Sequence, residues 1–187
     1  MISLSSSRLL LKQCSPDEAS AIIDYYERNQ DFLKPFEPTR TDEFYTESFW
    51  KQLLTIENKN DFELTQLRLF IFKKSDPSRV IGVTNYSGFI RGVFQACYLG
   101  YGLDELQQGE GFMHEALTEG IRFLFEERNP HRVMANCMVS NQRSLNVLNR
   151  LGFVEEGRAK DYLYINGKWE DHVMTALINK NCIPQKD

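Results

Sequence analysis

At 187 residues the chain is long enough for one domain with a proper core and too short for two to be expected. Its formal net charge of −4 argues against a protein that coats nucleic acid through a broad basic surface, and the acidic balance suits a basic polypeptide as partner.

From the N-terminus, Arg8 to Gln13 reads as a first strand, and Ser15-Pro16-Asp17 opens a helix with Ser15 as N-cap and proline at its first position, running to Asn29. Lys34-Pro35-Phe36-Glu37-Pro38 follows as a loop stiffened by two prolines, in which Phe36 either lines a cleft or plugs the core. Thr41-Asp42-Glu43 starts a second helix that carries Phe44, Phe49, Trp50, Leu53, Leu54 and Ile56 at helical spacing towards Lys59. Strands are expected over 67–73 and 80–89, joined by the turn residues Ser75-Asp76-Pro77-Ser78, and a third long strand over 94–103.

A helix over 111–128 has Met113, Ala116, Leu117, Gly120, Ile121 and Leu124 on one stripe, and Asn129-Pro130 stops it. A strand over 131–139, a short helix from Asn141 ended by Gly152, and two closing strands, 153–165 and 169–178, complete the chain. Asn166-Gly167 between the last two is a two-residue hairpin signal. Strand and helix alternate through the middle and a hairpin ends the chain, which defines an α/β fold on a mixed sheet.

Gln108-Gly109-Glu110-Gly111-Phe112-Met113 lies between a strand and a helix. Two glycines there let backbone N–H groups point outward unobstructed, and the helix adds its own unsatisfied donors and positive dipole end, which makes an anion cradle. A P-loop would need Lys-Ser or Lys-Thr after the last glycine, where Phe112 and Met113 stand. A dinucleotide fingerprint would need a third glycine or alanine, where Gly100-x-Gly102 runs on to Glu105 and Gly109-x-Gly111 to His114. His114-Glu115 begins like a zinc-binding helix, but Thr118 takes the place of a second histidine, and His131 and His172 have no ligand partner at useful spacing, so no metal site is expected.

The remaining pattern, Gln/Arg-x-x-Gly-x-Gly/Ala, resembles the pyrophosphate loop of the GNAT N-acetyltransferases. Gln108 and Gly111 fit it, whereas Met113 stands where that family has a small residue. Further segments resemble, in order and spacing, the ribosomal-protein-alanine N-acetyltransferases of the RimJ type. They are Asn29 to Pro38, Ala96 to Tyr101, Gly109 to Leu117, His131 to Asn136, Leu151-Gly152-Phe153, Ala159 to Leu163, and Asp171-His172-Val173. The resemblance implies one acetyltransferase domain over 8–178 with short tails, 1–7 and 179–187. It also implies a twisted mixed sheet of about six to seven strands with helices on both faces.

The same resemblance implies acetyl-coenzyme A as co-substrate and no metal. The pantetheine arm would pair with the strand at Tyr98, Leu99, Gly100 and Tyr101, and the pyrophosphate would lie on Gln108, Gly109, Glu110, Gly111, Phe112 and Met113. Read on their own, Tyr98, Leu99 and Tyr101 are core and face residues of an ordinary strand. Asn141 is an N-cap on its own terms and a contact of the cofactor arm by resemblance. Ser144 satisfies a first-turn donor on its own terms, and by resemblance protonates the departing thiolate. Where several relatives place a glutamate, Leu163 stands, which leaves Asp161 and Glu37 as the carboxylates available as base. An α-amine, with a pKa near 8, demands less of a base than lysine, so the missing glutamate tilts the reading towards N-terminal substrates.

The implied acceptor is the N-terminal alanine of the fifth protein of the small ribosomal subunit, alone or in an assembling ribosome. A small free amine (polyamine, amino acid or aminoglycoside) and a ribosome-binding or assembly role with dispensable catalysis stay open. The four cysteines, Cys14, Cys97, Cys137 and Cys182, are widely spaced, and Cys97 and Cys137 sit in apolar runs as buried thiols. No run approaches the roughly 18 apolar residues of a membrane span, and Met1 to Arg8 is no leader, so a cytoplasmic monomer or homodimer is expected.

Overall fold

The computed structural model describes residues 1–59 and 66–183, with 184–187 of the expected C-terminal tail outside that range. Its elements, in chain order, are β1 (Ser3–Ser5), β2 (Leu9–Lys12), α1 (Ala19–Arg28), α2 (Gln30–Leu33), α3 (Glu47–Lys59), β3 (Gln66–Lys73), β4 (Asp76–Ile90) and β5 (Ala96–Leu103). Then follow α4 (Phe112–Glu127), β6 (Arg132–Met138), α5 (Gln142–Arg150), β7 (Val154–Ile165) and β8 (Lys168–Ile178). One eight-stranded mixed sheet runs β1-β2-β3-β4-β5-β6-β8-β7, antiparallel except for the β5–β6 pair. The sheet is wider than the six to seven strands expected because Ser3–Ser5 pairs with β2 and buries Leu4. A three-residue strand with one apolar side chain leaves no alternation to read.

Strand alternation sorts the core into two layers. On β3, Leu67, Leu69 and Ile71 face a cluster completed by α4 and α5, while Phe70 and Phe72 face one completed by α1 and α3. Helices therefore cover both faces. The stripe expected on α4 is buried at all six positions, from Met113 to Leu124. Each large apolar side chain on it contributes about 1.5–3 kcal/mol by leaving water.

Local sequence sets the boundaries. Ser15 N–H donates to the Glu18 carboxylate (2.9 Å) and Pro16 opens a 3₁₀ turn that leads into α1. The single helix expected over 41–59 is instead a 3₁₀ turn, Asp42–Tyr45, and α3, because Thr46 is extended and its hydroxyl accepts from Phe49 N–H (3.3 Å) as a cap. Ile56 lies outside the core at 59% exposure. α5 ends in a Schellman arrangement, with Gly152 at φ +86° and Phe153 N–H donating to Leu148 O at 3.0 Å. Asn166 and Gly167 both have positive φ (50° and 82°), as a type I′ hairpin turn needs. Among the described residues no helix is long and apolar enough to cross a membrane.

Candidate active site

The sheet opens at its centre. β5 and β6 pair only at Ala96–Arg132, Cys97–Val133 and Tyr98–Met134. Beyond Tyr98, β5 continues against β4 to Leu103 and β6 continues against β8 to Met138. Leu99–Leu103 and Ala135–Met138 thus each present an unpaired edge to a wedge-shaped gap, and an extended polar arm laid there finds backbone donors and acceptors.

Past Leu103 the chain makes the glycine loop. Gly109 and Gly111 have φ +83° and +78°, which L side chains adopt only under strain. A Cβ on Gly109 would meet nothing within 4 Å, and one on Gly111 only Arg8 Nη2 at 3.6 Å, so the space before both is open. Among the described residues the N–H groups of Gly109, Glu110 and Gly111 have no partner. They lie beside the first, unsatisfied N–H groups of α4, a concave set of donors suited to a phosphate.

The loop is braced from both sides. Asp104, buried, accepts from Arg28 Nε (2.8 Å) and Leu106 N–H (2.9 Å), while Glu105 N–H donates to Asn29 Oδ1 (2.9 Å). Burial alone would raise the Asp104 pKa, but the Arg28 hydrogen bond, the Leu106 N–H and the Arg28 charge outweigh it and hold it below the usual carboxylate range. On the other side, Glu115 on α4 accepts from Arg8 N–H and Arg8 Nε (both 2.7 Å), and Arg8 Nη1 donates to Glu110 O at 3.0 Å. Arg8 also lies over the Phe112 ring, 4.4 Å from its centroid. An open cleft of about 690 Å³ beside Gly111 has Ser6, Arg8, His114, Glu115 and Arg150 on its walls.

Two residues of the loop motif act differently from the expected pattern. Gln108 Nε2 donates to Leu103 O (3.1 Å) and Asp104 O (3.3 Å) and its N–H to Glu105 O (3.3 Å), so Gln108 ties the loop to the strand end. Met113 is 5% exposed in the core under α4, which explains how a long side chain occupies a position expected to be small. Only its backbone faces the loop.

Across the gap, Tyr101 on β5 and Ser144 on α5 meet, Tyr101 Oη to Ser144 Oγ at 2.7 Å. Burial pushes the Tyr101 phenol far up despite the Ser144 bond, so it stays protonated and can donate to Ser144. Asn141 Oδ1 accepts from Ser144 N–H (3.1 Å) as the N-cap of α5. Leu99 is core, and Tyr98 is half-exposed on the opposite face.

Of the two candidate carboxylates, Glu37 reaches β5, on the face opposite Tyr101 and Ser144, and Asp161 does not. Glu37 Oε2 accepts from Arg40 (3.0 Å), and its Oε1 lies 3.6 Å from where a Cβ of Gly102 would stand. Asp161 is exposed at φ +47° on β7, where the β7–β8 register slips between Ala159 and Leu163, and its N–H donates to Asp171 Oδ1 at 3.0 Å. Phe36 points outward at 36% exposure and neither plugs the core nor borders the nearby cleft of about 150 Å³, whose walls include Tyr26, Leu33, Glu37 and Asn166. Sequence reasoning missed Arg8, Arg28, Asp104 and Tyr25, which reach the site through contacts distant in sequence.

A mixed sheet split at its centre, with a glycine cradle at the mouth of the split, is the frame of an enzyme that moves an acyl group from a phosphorylated thioester carrier. The acetyltransferase (GNAT) domain matches residues 8–154, and the chain belongs to that family and is an N-acetyltransferase. It is 43% identical over 185 residues to the [Ribosomal protein uS5]-alanine N-acetyltransferase of Escherichia coli strain K12, covering 98% of this chain and 94% of that protein. The crystal structure of ribosomal-protein-S5-alanine acetyltransferase from Vibrio fischeri superposes with a TM-score of 0.93 at 36% identity, over 98% of this chain and all of that one. Mycobacterium smegmatis RimJ in complex with CoA-disulfide shares the fold, with a TM-score of 0.87 at 23% identity over 99% of this chain and 90% of that one.

Proposed function

We propose that the protein transfers the acetyl group of acetyl-coenzyme A to the α-amine of the N-terminal alanine of small-subunit ribosomal protein uS5, in the cytoplasm. The observation that carries the acceptor is the end-to-end likeness to the Escherichia coli alanine N-acetyltransferase. The pyrophosphate sits on the N–H groups of Gly109, Glu110, Gly111, Phe112 and Met113, and the pantetheine arm pairs with the free edge of β5 at Leu99, Gly100 and Tyr101. Asn141 caps α5 through Oδ1, which leaves its Nδ2 as the donor assigned to the arm in this reading.

The neutral amine attacks the thioester carbon. A C–N bond forms, the C–S bond breaks, the thiolate takes a proton from Ser144 Oγ, which the Tyr101 phenol hydrogen-bonds, and the proton shed by the new amide nitrogen restores Ser144 through solvent. About a tenth of an α-amine with a pKa near 8 is already neutral at pH 7, so positioning contributes more than a strong base. Glu37 is the carboxylate placed to draw off the surplus proton.

The test is calorimetric titration with acetyl-coenzyme A followed by mass spectrometry of an alanine-initiated uS5 peptide, beside a serine-initiated peptide and spermidine. Binding with one acetyl group gained on the alanine α-amine is expected. Transfer to spermidine alone would move the enzyme to small amines, and absence of binding would sink the cofactor assignment.

A further inference from the structure

β5 presents Leu99, Tyr101 and Leu103 to the α4 side of the sheet, so Tyr98, Gly100 and Gly102 face α1. Two of those three positions lack a side chain, which leaves a bare lane along the strand. At Gly100 an added Cβ would meet nothing within 4 Å. At Gly102 it would meet Tyr25 Oη at 3.0 Å, Glu37 Oε1 at 3.6 Å and Leu33 Cδ2 at 3.9 Å. The lane is therefore open over Gly100 and ends blind about 7 Å further along, against two oxygens and a leucine.

Two buried oxygens along the lane have no hydrogen-bond partner among the described residues. Tyr25 is fully buried, and its hydroxyl has no hydrogen-bond partner among the described residues. Asn85 pairs with Gly100 across the sheet and therefore shares its face, and its Oδ1 is buried and equally without a partner. Arg40 holds Glu37 Oε2, which leaves Oε1 directed at the lane. The loop that carries Glu37 is tied down in turn, since Asn166 Nδ2 donates to Lys34 O and Thr39 Oγ1 meets Asn166 Oδ1 at 3.2 Å. Buried polar atoms are seldom left unpaired, and a pair of them beside open space offers hydrogen bonds to water or to the polar head of a ligand.

We infer that the space over Gly100 seats the ammonium or amine head of the acceptor, with Glu37 Oε1, Asn85 Oδ1 and Tyr25 Oη as its three hydrogen-bond partners. Three oxygen acceptors, one of them the carboxylate oxygen that Arg40 leaves unpaired, match the three donors of a primary ammonium and oppose a carboxylate or phosphate. Burial holds the Tyr25 phenol protonated, so it adds no second charge. The slot deepens the reading of the protein as an amine acetyltransferase and rests on it. Glu37, Tyr25 and Asn85 become the residues that recognise the acceptor, and Gly100 gives it room.

The experiment compares binding, in the presence of coenzyme A, of the alanine peptide and of a matched peptide bearing propionyl in place of alanyl, which lacks only the amine. Spermidine serves as a second amine. Wild-type protein should prefer the free-amine peptide by roughly tenfold or more. Glu37→Gln should bring the two peptides to within about threefold, and Tyr25→Phe should reduce the preference while raising peptide KM more than it lowers kcat. Tyr25→Phe removes a buried hydroxyl without a partner and should melt no lower than wild type, so a folding failure does not obscure the result. Acetyl-coenzyme A affinity should be unchanged in both. Variants that keep wild-type amine preference and peptide KM overturn the slot and leave the function standing. Transfer to spermidine alone, with the same variants losing spermidine binding, overturns the uS5 acceptor and upholds the slot. Wild-type protein that binds no amine overturns both.

Discussion

Replacing Gly109 with alanine separates the loop's conformation from its ligand. At φ +83°, alanine suffers about 1–2 kcal/mol of left-handed strain, offset by about 0.4–1 kcal/mol because the unfolded chain also loses freedom. The new methyl meets nothing within 4 Å in the free protein, so no packing term is added. A net loss of about 1 kcal/mol should lower Tm by roughly 2–4 °C for a chain of this size. That strain is present with and without ligand and cancels from the binding equilibrium. What remains is the methyl in the space a phosphate oxygen must enter to reach the Gly109, Glu110 and Gly111 N–H groups. Loss of one charge-assisted hydrogen bond, worth about 1.5–3 kcal/mol, raises Kd for acetyl-coenzyme A by roughly 10- to 150-fold. Calorimetry with a thermal melt on the same sample reads both terms. A Tm that falls as stated with Kd unchanged within about twofold would refute the cradle. Gly111→Val is the harsher form, since valine is branched and would sit at the cap of α4 against Arg8.

Ser144→Ala should lower kcat by roughly 10²-fold with acetyl-coenzyme A affinity unchanged, and Tyr101→Phe should lower it less; steady-state kinetics beside calorimetry checks this, and an unchanged kcat would remove Ser144 from the reaction. Asp104→Asn should destabilise the fold by about 3 kcal/mol in urea titration, because it leaves Arg28 partly uncompensated in a buried setting. The Asp104 pKa is depressed in the folded state, so its contribution is complete above the ordinary carboxylate pKa and is lost as pH falls through the folded value; the variant's stability should be flatter below about pH 4. Gly120→Ala should cost about 1–3 kcal/mol by overpacking, because the new methyl would collide with the hydroxyl of buried Tyr86, and should leave Kd alone.

The parts of this molecule legible in the sequence are those that a residue type determines locally. Gly109 and Gly111 permit the left-handed backbone that bares the loop's N–H groups, Asn166-Gly167 signals its turn, and the α4 stripe records which side of one helix is buried. The parts that were not legible depend on residues meeting from far apart. Arg28 and Asp104 are 76 positions apart, Arg8 and Glu115 are 107, and neither pair has a local pattern. Asp161 looked eligible because it precedes Leu163, but a register slip turns it outward, a change that period-two reading has no means of registering. Gln108 fits the motif, yet its side chain is directed back at Leu103, since an amide near a strand end finds carbonyls as readily as phosphates.

β5 explains how one strand serves two ligands. Its free edge, opened where β6 leaves it after Tyr98, is available to the thioester arm. One of its faces, through Tyr101, carries the hydroxyl contact to Ser144, and the other, bare at Gly100 and Gly102, adjoins Glu37 and Tyr25. Because pleating separates these faces, substitutions at 100 and 102 should act on the acceptor's KM, and those at 109 and 111 on the affinity for acetyl-coenzyme A. The acceptor side is built from the loop over 34–40 and the β7–β8 hairpin tip, joined through Asn166, and neither segment supports the glycine cradle. Exchanging those two segments should therefore change which amine is acetylated while the cofactor binds as before.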